Sequence, residues 1–383
     1  MPQKAALADD LRTIAEGPCA KLSVEAAGER RFIVYGDTGY ELADWAAGEQ
    51  LAAAQSLVEI TTAGVVRNRL MLEGLPADGR GYVPASLELG VDSIGVPWLS
   101  SIDTRYAPRG TGALFERTSR SYSHRGGAWQ PLAEGAALDL GPGSLPDVPT
   151  AEACESQTLK FVALSHAFAR DGGVFIAGRC QDASHIAYAD TTLVVAHARK
   201  GAKEWELARL PRTSRLDGIV NVALFAHRAD DAWLTAFEPY ANTNGRPSYL
   251  VRFDGSQWRE VELDIDEGLM SVAGDAEGNV YFAAGRGLYR RSSAGVVERI
   301  PLPPLRFTNA QPELHVRRVS AFSSGELWVE AGYRVTRPTG ERGEPASGWA
   351  SVLFSNRVLP LPLYCDAREM AFDALVEIEG SSP

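Results

Sequence analysis

This 383-residue sequence predicts an all-β fold built from one repeated unit, a pair of hairpins in series. Two observations carry that expectation. The first is a recurring pattern of apolar strand, tight polar turn and a second strand opening with an aromatic residue. It appears as VALSHAFARDGGVFIAG around Phe175, VALFAHRADDAWLTAF around Trp233, SVAGDAEGNVYFAAG around Tyr281 and RVSAFSSGELWVEAG around Trp328. The second is that another strand–turn–strand follows each: LVVAHARKGAKEWELARL, YLVRFDGSQWREVEL, GLYRRSSAGVVERIPL and ASVLFSNRVLPLPL. The turns carry Asp171-Gly172-Gly173, Asp230-Asp231, Glu277-Gly278-Asn279 and Ser324-Gly325, residue types that tolerate positive φ or bond to their own backbone.

Two looser units precede these. The first predicts strands near 22–26, 31–36, 56–61 and 65–72. The second predicts strands near 82–89, 96–102, 113–122 and 128–132. A lone four-stranded sheet cannot cover both of its faces, whereas radial packing of successive sheets does so and leaves only short edges. The expectation is therefore a single β-propeller of about six four-stranded blades spanning residues 19–383, or seven if residues 60–150 hide another. A β-sandwich or a pair of smaller β-domains explains the tandem double hairpins less well. Residues 368–379 are left over and suit closure, in which a strand from one terminus completes a blade begun at the other. Ala5, Leu7, Leu11 and Ile14 fall at helical spacing, so a short helix is expected within residues 1–18.

Composition bounds the function classes. With 45% hydrophobic and 23% charged residues the chain reads as globular, and no stretch approaches the roughly 18 apolar residues a membrane span needs. A net charge of −11 argues against a nucleic-acid partner, because binding polyphosphate needs a positive surface. A monomer is expected. The N-terminus carries no basic-then-apolar signal sequence, and an exported protein that had lost one would read the same.

Four cysteines, Cys19, Cys154, Cys180 and Cys365, allow three pairings. Cys154 precedes the first strand of the third unit and Cys180 ends its second, so both lie at one face of one blade. Cys19 and Cys365 bracket the repeats, where ring closure brings the ends together. The pairing 154–180 with 19–365 therefore fits, and disulfides imply an exported protein: periplasmic, cell-surface or secreted. Four buried thiols in a cytoplasmic protein are the alternative.

The segment Asp275-Ala276-Glu277-Gly278-Asn279-Val280-Tyr281 resembles the D-x-x-G-x-aromatic turn of two-component-regulator propeller repeats, and Ser324-Gly325-Glu326-Leu327-Trp328-Val329 resembles a shorter version. Arg125-Gly126-Gly127-Ala128-Trp129 is similar to the end of an Asp-box of sialidase-like and sortilin-like propellers, with His124 where the box has Asp and Ala128 where it has Thr. The resemblance implies a propeller and carries no catalytic residue across.

Motifs for chemistry are sparse. The histidines (124, 166, 185, 197, 227 and 315) show no HExxH or paired CxxC spacing, so His166, His197 and His227 read as structural. No G-x-S-x-G elbow occurs. Gly285-Arg286-Gly287 lacks the third glycine of a nucleotide loop and joins two strands. Asp254-Gly255-Ser256 and Asp275–Gly278 carry too few oxygen ligands for calcium and read as hairpin turns.

The segments joining the second and third strands say more. Residues 37–45, 103–110, 179–188, 238–248 and 333–345 are longer than a hairpin needs and pair aromatics with arginine, acid or amide. In a propeller they share one face with the connections between blades, around the channel mouth. Candidate ligand-binding residues are Tyr40, Asp103, Arg105, Tyr106, Arg179, Asp182, His185, Tyr240, Asn242, Asn244, Arg246 and Tyr333, since tyrosine and arginine are common anchors and long loops on rigid scaffolds carry function. The reading is a non-enzymatic recognition or scaffold propeller for a protein, peptide or glycan, with no cofactor. The alternative is a propeller hydrolase or lyase with a divalent cation at the central channel. A sensor domain of a membrane receptor is a third reading, resting on the repeat resemblance alone.

Overall fold

The structure, a computed structural model, describes residues 23–27, 30–36, 55–60, 66–72, 82–91, 96–109, 112–131, 148, 150–155, 159–182, 193–210, 221–237, 249–265, 267–302, 305–306, 311–323, 325–337, 346–355, 361–364 and 377–378. Six four-stranded antiparallel sheets account for nearly all of them. Sheet I holds β1 (Ser23–Ala27), β2 (Arg30–Gly36), β3 (Gln55–Ile60) and β4 (Val66–Leu72). Sheet II holds β5 (Tyr82–Val91), β6 (Pro97–Arg109), β7 (Gly112–Arg125) and β8 (Ala128–Pro131). A one-turn helix, α1 (Thr150–Cys154), precedes sheet III: β9 (Leu159–Phe168), β10 (Val174–Asp182), β11 (Leu193–Ala198) and β12 (Glu206–Arg209). Sheet IV has β13 (Asn221–Arg228), β14 (Asp231–Phe237), β15 (Tyr249–Phe253) and β16 (Trp258–Glu260), and sheet V has β17 (Leu269–Gly274), β18 (Val280–Ala284), β19 (Gly287–Arg291) and β20 (Val297–Ile300). After β21 (Leu305–Arg306) comes sheet VI, with β22 (Gln311–Ala321), β23 (Leu327–Arg337), β24 (Ala346–Ser355) and β25 (Leu361–Tyr364), and then β26 (Glu377–Ile378).

Each sheet is a meander of strands consecutive in sequence, and the first strands stand side by side: β1 touches β5, β5 touches β9, and so on through β22, which returns to β1. The chain is a β-propeller. The helix expected within residues 1–18 lies outside the described residues.

The period of two along a strand explains how one sheet serves two seams. On β14, Ala232, Leu234 and Ala236 join Phe175, Ala177 and Val195 in the core between sheets III and IV. Trp233, the intervening residue, points the other way to Val280 and Phe282 of sheet V. On β18 the assignment alternates again: Phe282 faces sheet IV, while Tyr281 and Ala283 pack with Val316, Val319 and Ala331 of sheet VI. A strand buried on both faces reads as a continuous apolar run, as AWLTA and VYFAA do. Each large side chain so buried stabilises the fold by about 1.5–3 kcal/mol. The fourth strands, such as β16 (WRE), lie outermost and half exposed.

Close approach at one seam requires a glycine. A Cβ on Gly274 would stand 2.3 Å from the Phe225 ring and 2.7 Å from that of His227. On the same seam, Arg252 and Arg291 each lie 5.2 Å from the Trp233 ring centre, a double cation–π contact joining sheets IV and V.

One expectation is corrected. The C-terminal segment does not complete a sheet begun at the other end of the chain: β26 pairs with β21, Leu305 opposite Ile378, while sheet I takes all four strands from residues 23–72. Side chains link sheet I to sheet VI instead. Arg31 on β2 reaches the buried carboxylate of Glu326 with Nε 3.0 Å from Oε1 and Nη2 2.5 Å from Oε2. Its guanidinium lies 4.5 Å from the centre of the Phe322 ring.

Candidate functional site

The two ends of the sheets are built differently. At one end lie the first-to-second and third-to-fourth turns, and there acidic side chains are used up on their own backbone. Asp275 is buried and accepts from the amides of Glu277 (2.9 Å) and Asn279 (3.0 Å), from Asn279 Nδ2 (2.8 Å) and from the Tyr281 hydroxyl (2.8 Å). Burial works against its charge, but the hydrogen bonds outweigh that and hold its pKa below the usual carboxylate value. Asp254 accepts from Ser256 Oγ (2.7 Å) and from the Ser256 and Gln257 amides, which hold its pKa down to about 2. Asp171 bonds Gly173 N and crosses to Ala229 N of sheet IV at 2.9 Å. The hairpin-turn reading of the Asp-Gly motifs holds: these carboxylates fasten turns. Gly278, at φ 82°, completes the turn that Asp275 fastens.

The opposite end carries the second-to-third strand connections, and here the sequence reading needs adjustment. Asp103, Arg105 and Tyr106 lie on β6, not in a loop, because β6 and β7 stay paired as far as Arg109 opposite Gly112. Tyr106 stands opposite Phe115 and Arg105 opposite Glu116, so β7 supplies ladder partners past the predicted strand end. Arg179 and Asp182 likewise lie on β10, where they stand opposite Val162 and Leu159 of β9. Tyr333 is on β23, opposite Leu314 and Ala350. The six strand residues therefore lie on the second strands of sheets II, III and VI, from mid-strand to the end that leads to this face. Tyr40, His185, Tyr240, Asn242, Asn244 and Arg246 fall outside the described residues.

Five inner strands share a feature the sequence did not signal. Ladder register slips by one residue at Ala85, Leu164, His227, Met270 and Arg317, and the slip at Met270, against Ala283 and Ala284, lies at the end nearest this face. A bulge bends and twists its strand and re-aims the neighbouring side chains, and bulges concentrate at rims and beside sites.

A cleft of about 350 Å³ opens on the same face where sheet V meets sheet VI. Leu288, Ile300, Pro301, Leu302 and Leu314 make its apolar floor, and Arg286 and Arg299 stand at its mouth. The turn that carries Arg286 is pinned from both sides: Gly285 N donates to the Gly268 carbonyl (3.1 Å), and the Gly285 carbonyl accepts from Val316 N of sheet VI (2.7 Å). The Arg286 amide donates to Glu267 Oε2, and its guanidinium pairs with Glu313 at 3.2 Å. Arg299 Nη2 donates to the Arg286 carbonyl at 2.7 Å. No local pattern in the sequence signals this cleft, because its walls come from two sheets and its one motif, Gly285-Arg286-Gly287, is a turn between two strands.

Cys154 and Cys180 form a disulfide that ties α1 to β10, as their placement at one face predicted. Beside it Arg209 Nη2 donates to the Ala153 carbonyl at 2.9 Å, and Ala153, Val194, Phe161 and Leu207 pack around the bridge. Cys19 and Cys365 lie outside the described residues. The buried histidines are wedged among rings. His197 stacks on Phe175 at 5.3 Å and meets Phe253 at 4.8 Å, and His227 meets Phe225 edge-on at 4.6 Å. Burial lowers both pKa values. Among the described residues no three His, Cys, Asp or Glu side chains converge as metal ligands, and no helix is long and apolar enough to cross a membrane.

No family model and no curated protein sequence matches the chain. Solved structures similar to it include YCF48 bound to a D1 peptide, at 12% identity over 77% of this chain and 84% of that one, with a TM-score of 0.32. A Trypanosoma rangeli sialidase is similar at 9% identity over 89% of this chain, with a TM-score of 0.46, and the chain spans only 54% of that protein. A Penicillium chrysogenum α-L-arabinanase is similar at 11% identity over 86% and 92% of the two chains, with a TM-score of 0.41. Likenesses this loose say nothing about what the chain binds.

Proposed function

We propose that the chain is an exported, non-enzymatic recognition propeller that binds a protein, peptide or glycan on the face bearing the second-to-third strand connections. The asymmetry of the two ends carries this reading. One end is closed off by short turns whose carboxylates bond their own backbone. The other projects the ends of β6, β10 and β23, with Asp103, Arg105, Tyr106, Arg179, Asp182 and Tyr333, and opens the sheet V–VI cleft. Tyrosine and arginine on a rigid frame are the residue types that anchor interfaces. The Cys154–Cys180 bridge supports an oxidising compartment. The turn at Asp275 supports a repeat of the two-component-regulator type.

The test is a glycan array and a displayed peptide library, each screened with the wild-type chain and with a Tyr106→Ala/Tyr240→Ala/Arg246→Ala variant. Selective binding that the variant loses at an unchanged melting temperature supports the reading. Hits shared equally by both proteins, or a collapsed melting transition, remove these residues from recognition.

A further inference from the structure

The cleft between sheets V and VI joins two features that together specify a ligand. Its floor is aliphatic, formed by Leu288, Ile300, Pro301, Leu302 and Leu314, and its volume of about 350 Å³ lies in the range of small-ligand sites. Its mouth carries two arginines, and the Glu267 and Glu313 carboxylates beside them are both bonded to Arg286. Arg286 is 68% exposed and has Glu313 as an ion-pair partner. Arg299 is exposed and has no acidic partner among the described residues; its guanidinium donates to the neutral Arg286 carbonyl. That one bond leaves most of its five N–H donors available.

The guanidinium is also held in place. A Cβ on Gly287 would stand 2.8 Å from Tyr289 Cε2 and 3.1 Å from Arg299 Nε, so both side chains lie close over this glycine's bare backbone. The turn beneath it is fastened to Gly268 and to Val316, one bond in each sheet. An arginine fixed this way loses little freedom on binding, and its planar fork matches a carboxylate's two oxygens.

We propose that this cleft binds the C-terminus of a polypeptide whose last side chain is aliphatic, with the carboxylate on Arg299 and the side chain on the Leu302–Leu314 floor. The lining offers no aromatic platform for a sugar or a base. An internal peptide segment would bring an anion to Arg299 only through an Asp or Glu side chain, which amidation of the C-terminus leaves in place. The cleft opens onto the face of the propeller, so the rest of the peptide leads away over the projecting strand ends. This inference rests on the recognition reading above and names one ligand class for it.

The experiment presents the full chain, immobilised, with a pool of hexapeptides random in their last three residues and free at the C-terminus, beside the same pool amidated. Leu, Ile, Val or Phe should be selected at the last position from the acid pool, with at least about tenfold weaker retention of the amidated forms, since a charge-assisted pair is lost. Arg299→Glu should abolish selection and Arg299→Lys should keep part of it, both with an unchanged melting temperature. Equal selection from the two pools, no selection from either, or indifference to Arg299→Glu overturns the proposal. Octanoate separates a peptide end from a free acid: if it displaces selected peptides as well as they displace one another, the peptide assignment falls. If the cleft fails these tests while hits sensitive to the Tyr106 variant persist, the recognition reading stands and this inference alone is lost.

Discussion

Arg31 and Glu326, 295 residues apart in sequence, meet in a two-pronged buried ion pair that joins the first sheet to the sixth. Their side chains are 7% and 6% exposed, and Glu326 Oε1 also accepts from Trp328 Nε1 at 2.6 Å. Removing one member of such a pair strands a charge away from water, which costs about 3–5 kcal/mol. Arg31→Met should therefore destabilise the fold strongly in urea unfolding. The double variant Arg31→Met/Glu326→Leu should be much closer to wild type, because neither charge is then buried alone. Equal losses for the single and the double variant would show that shape, not charge, couples the two sheets.

Asp275 and Asp254 are both turn residues with depressed pKa values, yet they should respond differently to substitution. Asp275 is buried, and four donors point at it, so Asp275→Ala leaves Asn279 and Tyr281 without their acceptor. A loss of about 3 kcal/mol is expected from unfolding curves, as for a buried charged acceptor. Asp254 sits in solvent, where water replaces its oxygens, and Asp254→Ala should move the midpoint far less. A larger effect at Asp254 would contradict the account of these turns.

The hairpins were readable because each is announced locally: an Asp/Gly turn between two apolar runs is a short-range signal. Even the two weakest sheets came out within a few residues of their strand starts, as with 22–26 against Ser23–Ala27. What escaped was made of distant or single residues. No spacing rule relates Arg31 to Glu326, and none brings Arg299 beside Leu314. The strand from Asp103 to Arg109 reads as a loop because charged and polar residues, together with Pro108, interrupt its apolar pattern, although β7 supplies partners throughout. The bulges at Leu164 and Met270 each change one residue's pairing and leave the apolar period intact on either side.

The cysteines give a ranked prediction. Cys154–Cys180 closes a loop of 26 residues, for which loop entropy allows about 3.5 kcal/mol. If Cys19 and Cys365 are bridged as proposed, that ring is far longer and stabilises by about 5 kcal/mol or more on the same model. Cys365→Ser should then lower the melting temperature more than Cys180→Ser does. Non-reducing peptide mapping checks the pairing directly. Four free thiols in freshly purified, unreduced protein would end the bridge proposal and the inference of export with it.

Acid should loosen the seams before it reaches the carboxylates. An imidazole in an unfolded chain titrates near 6.5. In the fold, burial lowers the pKa of His197, where Glu206 opposes and Arg199 reinforces the shift. It lowers that of His227 too, where Asp231 and Asp275 oppose and Arg170 and Arg252 reinforce it. Between the folded and unfolded values the unfolded chain binds more protons, so stability rises with pH there. The contribution of these two rings is complete above about pH 6.5 and falls as pH drops toward their folded pKa values, by at most about 1.4 kcal/mol per ring per pH unit. Asp275, also depressed, adds its own loss only below the ordinary carboxylate range. Melting temperatures measured from pH 7.5 to 5 should therefore decline. The variant His197→Phe/His227→Leu should flatten that decline, since apolar groups there have no proton to bind. A double variant whose melting temperature falls as steeply as the wild type's would show that other groups drive the acid response.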